Sequence, residues 1–221
     1  MTTAYQRMFN RSAEDHTTDF QKALDAHQAK ADQIRENAQA ALDRIGSRKD
    51  LTPEAQRAAA ARIYKPATEQ IQQMLDQHIA KVSQHKQQLA QKAFGSDRST
   101  DPQTAMARRQ ARQIAATAED AHQAEQMVRD AQFDGDEHLA RAAAAVAYER
   151  GWHDVVDVWN ADGRNDTAMR CLIELAQLPD TNDTAWRIST AAAYSQPLSG
   201  VLDGLKPHEI SRAIEDGPEA A

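Results

Sequence analysis

Eight histidines, one cysteine, two acidic turns and a trio of arginines are the residues of this 221-residue chain whose types could do chemistry. His78 and His85 stand seven apart, two turns along one helix face. That is too far to grip one metal ion, for which an i, i+4 pair is the useful spacing. They read as solvated surface side chains. His27 falls on an apolar helical seam and reads as a polar residue that sets register. Cys171 lies inside the apolar run 169–176 with Arg170 as its only cationic neighbour in sequence. A reactive thiol wants an electropositive, partly open setting, so Cys171 reads as packed. Asp134-Gly135-Asp136-Glu137-His138 begins like a calcium loop but lacks the Gly at the sixth position and the Glu at the twelfth. It reads as a turn followed by a helix cap, as does Asp162-Gly163-Arg164-Asn165-Asp166. Arg108, Arg109 and Arg112 form a small basic patch, yet residues 101–129 hold four Arg against four acidic groups. Nucleic-acid binding wants a sustained basic stripe, so a solvated helix face is expected.

No phosphate-binding loop, dinucleotide fingerprint, zincin pair, nucleophile elbow or Cys-x-x-Cys motif occurs, and eight scattered glycines leave little for a phosphate cradle. The expectation is a protein that is not an enzyme, with no catalytic residues, no cofactor and no metal. One cysteine excludes a disulfide framework. No apolar run approaches the ~20 residues of a membrane span, so no membrane is expected. Residues 1–11 lack the apolar stretch of a secretory signal.

The elements that would position these residues are helical. Alanine supplies 43 residues and aromatics only 5% of the chain, with a mean hydropathy of −0.74. Alanine is the strongest helix former, and a chain so poor in bulky groups builds a thin core. Phe20, Leu24, His27, Ala31, Ile34, Ala38, Ala41 and Ile45 follow each other by alternating steps of four and three. That is the seam of a coiled coil, and Gly46 sits where a left-handed cap would end it. Thr52-Pro53-Glu54 opens a second helix, whose apolar trace runs through Ile63, Ala67, Ile71, Leu75, Ile79, Val82, Leu89 and Ala93 to Phe94-Gly95. Pro66 should kink or break it. The short connection predicts an antiparallel hairpin. Thr100-Asp101-Pro102 opens a third helix to about residue 132, with weak apolar residues. Beyond it come short helices: one through Leu139, Ala143 and Val146, one through Trp152, Val155, Val156 and Trp159, one over 169–178, one over 184–194 and one from Lys206-Pro207 through Ile214.

Composition also divides the chain. Residues 1–100 carry 15 Lys and Arg against 12 Asp and Glu, whereas residues 101–221 carry 11 against 21. Twenty of 22 glutamines precede Phe133 and all three tryptophans follow it. The expected fold is all-α, with a long helical hairpin or coiled coil over 1–132 (helices about 12–46, 53–94 and 102–132) and a compact acidic bundle over 133–221 containing all three Trp. A thin seam needs a partner. The expected partner-binding residues are therefore Phe20, Leu24, Ile34, Ile45, Ile71, Leu75, Ile79 and Val82. A homo-oligomer or a larger assembly would complete the seam.

Asp50-Leu51-Thr52-Pro53-Glu54-Ala55, with Arg57, Ala58 and Ile63-Tyr64, resembles an "LTPEG…R…I…Y" pattern of small helical proteins from actinobacterial phages and prophages, with Ala55 in place of the Gly. Ala143 to Trp159, centred on Glu149-Arg150-Gly151-Trp152-His153-Asp154-Val155-Val156, resembles an "A…GW.DVV.A" segment of similar proteins. Together the two stretches cover about a quarter of the chain. The resemblance implies a non-enzymatic structural or head-assembly protein of a phage-like particle. Such a protein would bind capsid, portal or tail components through its long helices, in the virion or the host cytoplasm. A scaffolding chaperone absent from mature particles is the close alternative. A nucleic-acid-associated regulator using Arg108, Arg109 and Arg112 is a more distant one, and nucleic acid is not an expected partner.

Overall fold

Local cap chemistry sets where the helices begin. In the computed structural model, which describes residues 19–95 and 101–217, the hydroxyl of Thr52 accepts from the Ala55 amide. Asp101 accepts from the amides of Gln103 and Thr104, and Asp136 from those of His138 and Leu139. Each satisfies donors that a helix start leaves unpaired. The helices are α1 (Asp19–Gly46), α2 (Pro53–Phe94), α3 (Pro102–Ala115), α4 (Ala121–Asp134), α5 (Glu137–Glu149), α6 (His153–Trp159), α7 (Asp166–Gln177), α8 (Thr184–Ala193) and α9 (Pro207–Asp216), with a 3₁₀ turn at Gly200–Leu202. The fold is all-α among the described residues, with long N-terminal and short C-terminal helices.

The helix expected over 53–94 is α2, which runs unbroken from Pro53 to Phe94 with Pro66 inside it. One expectation about helix continuity needs correction. The single helix expected over 102–132 is two. Thr117 turns its hydroxyl onto the Ile114 carbonyl, and Asp120 then accepts from the Gln123 amide while the Gln123 side chain accepts from the Glu119 amide. Asp followed three residues later by Gln is a start signal in its own right, and it overrides the propensity of the alanines around it.

The chain forms two compact units, and their division differs from the one composition suggests. The first spans 83–179; the second joins 19–82 to 180–217, so the division falls inside α2. The position near Phe133, where glutamine gives way to tryptophan, lies within the first unit. Trp152 and Trp159 belong to that unit and Trp186 to the second.

The first unit has a core of small residues around a few large ones. Ala111, Ala115, Ala124, Val128 and Ala131 of α3 and α4 are buried with Ala143, Ala144 and Ala147 of α5, and with Val155, Val156, Trp159, Met169 and Leu172 of α6 and α7. The third-helix region, weak in apolar residues, therefore packs through alanine. Phe94, at the end of α2, sets its ring 5.8 Å from both Tyr148 and Trp159. Gly135 closes α4 in the left-handed region at φ 72°, a conformation that side chains with a Cβ resist.

The second unit is the α1/α2 hairpin covered by the C-terminal segment. Leu42, Ala60 and Ala61 are buried with Leu202 and Ile210. Ala31, Ile71 and Leu75 are buried with Tyr194. Close to the end of α1 the seam departs from the expected residues: Leu42 is buried where Ala41 is only half-buried. A straight helix of 3.6 residues per turn drifts off a 3.5-residue repeat, and four residues after Ala38 is where its inward face returns.

Candidate functional site

Most of the residues expected to meet a partner are buried or packed within the chain. Leu24, Ile71, Leu75 and Val82 are buried, Ile71 and Val82 to 1% exposure. Ile45 packs against the cluster that contains Leu202 and Ile210. Ile34 and Ile79 pack against the one that contains Tyr194. Phe20 is half-buried. Residues 194–214, more than a hundred positions further along the chain, cover Ile34, Ile45, Ile71, Leu75 and Ile79.

Polar side chains on the hairpin hold that covering segment. Arg35 of α1 donates from Nη2 to the Ala193 carbonyl at 2.6 Å and from Nε to Ser195 at 2.9 Å, while pairing with Asp32. Arg62 of α2 donates to the carbonyls of Ile214 and Gly217. Both guanidiniums thus satisfy carbonyls left open at the ends of α8 and α9. The Tyr64 hydroxyl donates to the Gln196 carbonyl. Gly217 lies so close to Ala58 that a Cβ there would collide with it.

His78 and His85 are half-buried rather than solvated surface side chains, and His27 and His78 belong to this second unit. His27 is buried and bonds through Nε2 to the Met74 carbonyl at 2.9 Å, while the Lys81 ammonium donates to its Nδ1 at 3.0 Å. Because a carbonyl can only accept, the proton of that ring sits on Nε2. His78 Nδ1 bonds to the Tyr194 hydroxyl at 3.0 Å, and its ring lies 6.3 Å from that of Trp186. Burial, then the neighbouring His27 and Lys81, lower the His78 imidazole below its ordinary range. Burial, then the Asp32 carboxylate, raise the Tyr194 phenol. His85 lies in the first unit, 2.8 Å from a Glu174 carboxylate oxygen. Cys171 is half-buried, and burial raises its thiol above the ordinary range, against a smaller opposing pull from Lys92. That is the environment of a packed thiol rather than a nucleophile. Among the described residues, no group of three or more His, Cys, Asp or Glu is placed to hold a metal ion.

Among the described residues of the first unit are two clefts of similar size and different chemistry. One, of about 360 Å³, is lined by Gln132, Glu137, Arg141, Trp159, Asp162, Arg164 and Asn165 among others. Its polar groups answer one another: Arg164 pairs with Asp162 at 2.7 Å, and the amides of Gln132 and Asn165 both donate to the Trp159 carbonyl. The other, of about 330 Å³, has Arg108 and Arg112 of α3 and His138 and Arg141 of α5 on its walls, with Glu149 the single carboxylate. Its remaining lining is Phe94, Gly95 and alanines of α2 and α5.

Two of the three arginines of the sequence patch therefore line this cleft, and Arg109 does not. Arg108 and Arg112 are one turn apart on α3, as His138 and Arg141 are on α5, so each pair shares a helix face. Spacing within a helix makes each pair readable from sequence. That the two pairs face one cleft is a tertiary fact with no sequence signal. Arg141 also fixes the end of α2, donating from Nη1 to the Gly95 carbonyl at 3.0 Å. Arg150 does the same for the end of α3, bonding to the Ala118 carbonyl and lying 5.0 Å over the Trp152 ring.

Compared with known proteins, the chain matches no family model, no curated protein and no solved structure.

Proposed function

We propose that this chain is a non-enzymatic structural protein of a phage-like particle, bound to a capsid, portal or tail component. The observation that carries this reading is the role of the residues behind the sequence resemblance. In the first stretch, Thr52 caps α2, Ala58 is buried, and Ile63 and Tyr64 pack against the covering segment. In the second, Gly151 turns the chain at φ 75° and Val155 and Val156 are buried. Residues shared for caps, turns and packing fit a family whose members have a shape in common rather than a reaction.

The contact surface of this reading is the outward face of the helices, since the seam is spent within the second unit. Large apolar side chains stand exposed there: Phe133 at 92%, Met106 at 71% and Ile188 at 65%. Such groups favour burial against another protein. Mass spectrometry of particles purified from cells that encode the chain tests the proposal. The expected result is its presence in mature particles at a fixed ratio to the capsid protein. Presence in immature heads alone assigns it to scaffolding, and absence from both overturns the structural role.

A further inference from the structure

We infer that the cleft between α3 and α5 is a binding site for a small phosphomonoester, with the phosphate held by Arg108, Arg112 and Arg141. Three guanidiniums and one imidazole face a space with one carboxylate, Glu149. This excess of positive charge is local. Residues 83–179 as a whole carry fifteen Asp and Glu against eleven Lys and Arg. A cationic concavity in an acidic surround concentrates an anion at one place, whereas an extended polyanion such as a nucleic acid would meet repulsion on either side. Guanidinium forks match the oxygens of phosphate two at a time, and two helices, α3 and α5, supply them. Phe94 and the alanines add apolar groups to the lining of the cleft. The ester's organic group belongs there, which separates the ligand from inorganic phosphate. The neighbouring cleft shares Arg141 but carries two carboxylates, Glu137 and Asp162, the second paired with Arg164, and so offers an anion less net positive charge.

Calorimetric titration of the full chain with phenyl phosphate, inorganic phosphate, benzoate and a short oligonucleotide tests the assignment. Saturable 1:1 binding is expected for phenyl phosphate, tighter than for inorganic phosphate or benzoate. Arg112→Gln should weaken it by about tenfold or more, the effect of losing one charge-assisted contact. Arg109→Gln removes the same charge from the same helix outside the cleft and should change the affinity less than about twofold, as expected for an exposed charge under screening. Glu149→Gln removes the one carboxylate and should tighten binding, a gain that a folding defect cannot mimic. No saturation by phenyl phosphate overturns the site. Equal losses in Arg109→Gln and Arg112→Gln, or an oligonucleotide that binds tighter than phenyl phosphate, reduce it to general charge attraction and overturn it as well. Benzoate binding as tightly as phenyl phosphate overturns the phosphate assignment.

Discussion

His78 shows how one side chain links position, charge and stability. A solvated residue by its spacing in sequence, it lies against Tyr194 and Trp186 with Lys81 and His27 nearby. Burial is the largest cause of its lowered value, and the two cationic or basic neighbours add to it. The folded chain therefore resists protonating this ring, while the unfolded chain takes the proton at about pH 6.5. Stability is full above that value and falls as pH drops below it, because the unfolded state then binds more protons. The Tyr194 phenol, raised by burial, stays neutral throughout this window and contributes nothing to the slope. Urea unfolding should give a lower midpoint at about pH 5.5 than at about pH 7.5, and His78→Gln should flatten the difference. An unchanged slope in the variant would locate the titration elsewhere. The anion cleft was legible to the same limited degree as His78. The i, i+4 pair Arg108 and Arg112 is visible in the sequence, but His138 and Arg141 join it only when α5 packs on α3.

Among the elements, the recurrent device is an arginine on one helix closing the C-terminal end of another segment. Arg35 and Arg62 do this in the second unit, and Arg141 and Arg150 in the first. None of these contacts has a sequence signature, because donor and acceptor lie from 32 to 160 positions apart. Helix starts were legible for the opposite reason: Thr52, Asp101 and Asp136 act on amides two or three residues away. The apolar faces of α6 and α7 were legible too, since 3.6-residue periodicity is local. What covers the α1/α2 seam was not, because periodicity says which face is buried and never against what. Arg35→Met keeps most of the methylene packing and removes both bonds to the end of α8. It should lower the stability of the second unit by about 1.5–3 kcal/mol, the range for hydrogen bonds to charged groups. Asp32→Asn removes only the half-exposed ion pair and should change it by less than about 1 kcal/mol. Denaturation of the two variants side by side checks the ranking; equal losses would mean that the ion pair, rather than the carbonyl bonds, holds α8.

At the scale of the whole molecule, the question is whether a helix shared by two units makes them one cooperative structure. Each unit has its own buried core: one alanine-rich cluster around Trp159, Met169 and Leu172 in the first, and two clusters in the second, around Leu202 and around Ile71 and Leu75. The second closes only when the chain returns after residue 180, so its contacts are long-range and depend on the C-terminal segment. Leu202 is fully buried, and Leu202→Ala leaves a cavity there that should cost about 2–5 kcal/mol. If separate cores mean separate opening, hydrogen exchange should accelerate across 19–82 and 180–217 and stay unchanged across 102–177. Leu172→Ala, equally buried in the other cluster, should produce the reverse pattern. Acceleration in both units from either substitution would mean that α2 transmits unfolding along its length. With separate opening, loss of the covering segment exposes Ile71 and Leu75 while leaving the anion cleft intact. The seam is then free to seek an external partner, as its heptad spacing first suggested. Phenyl phosphate binding should accordingly survive Leu202→Ala and weaken with Leu172→Ala.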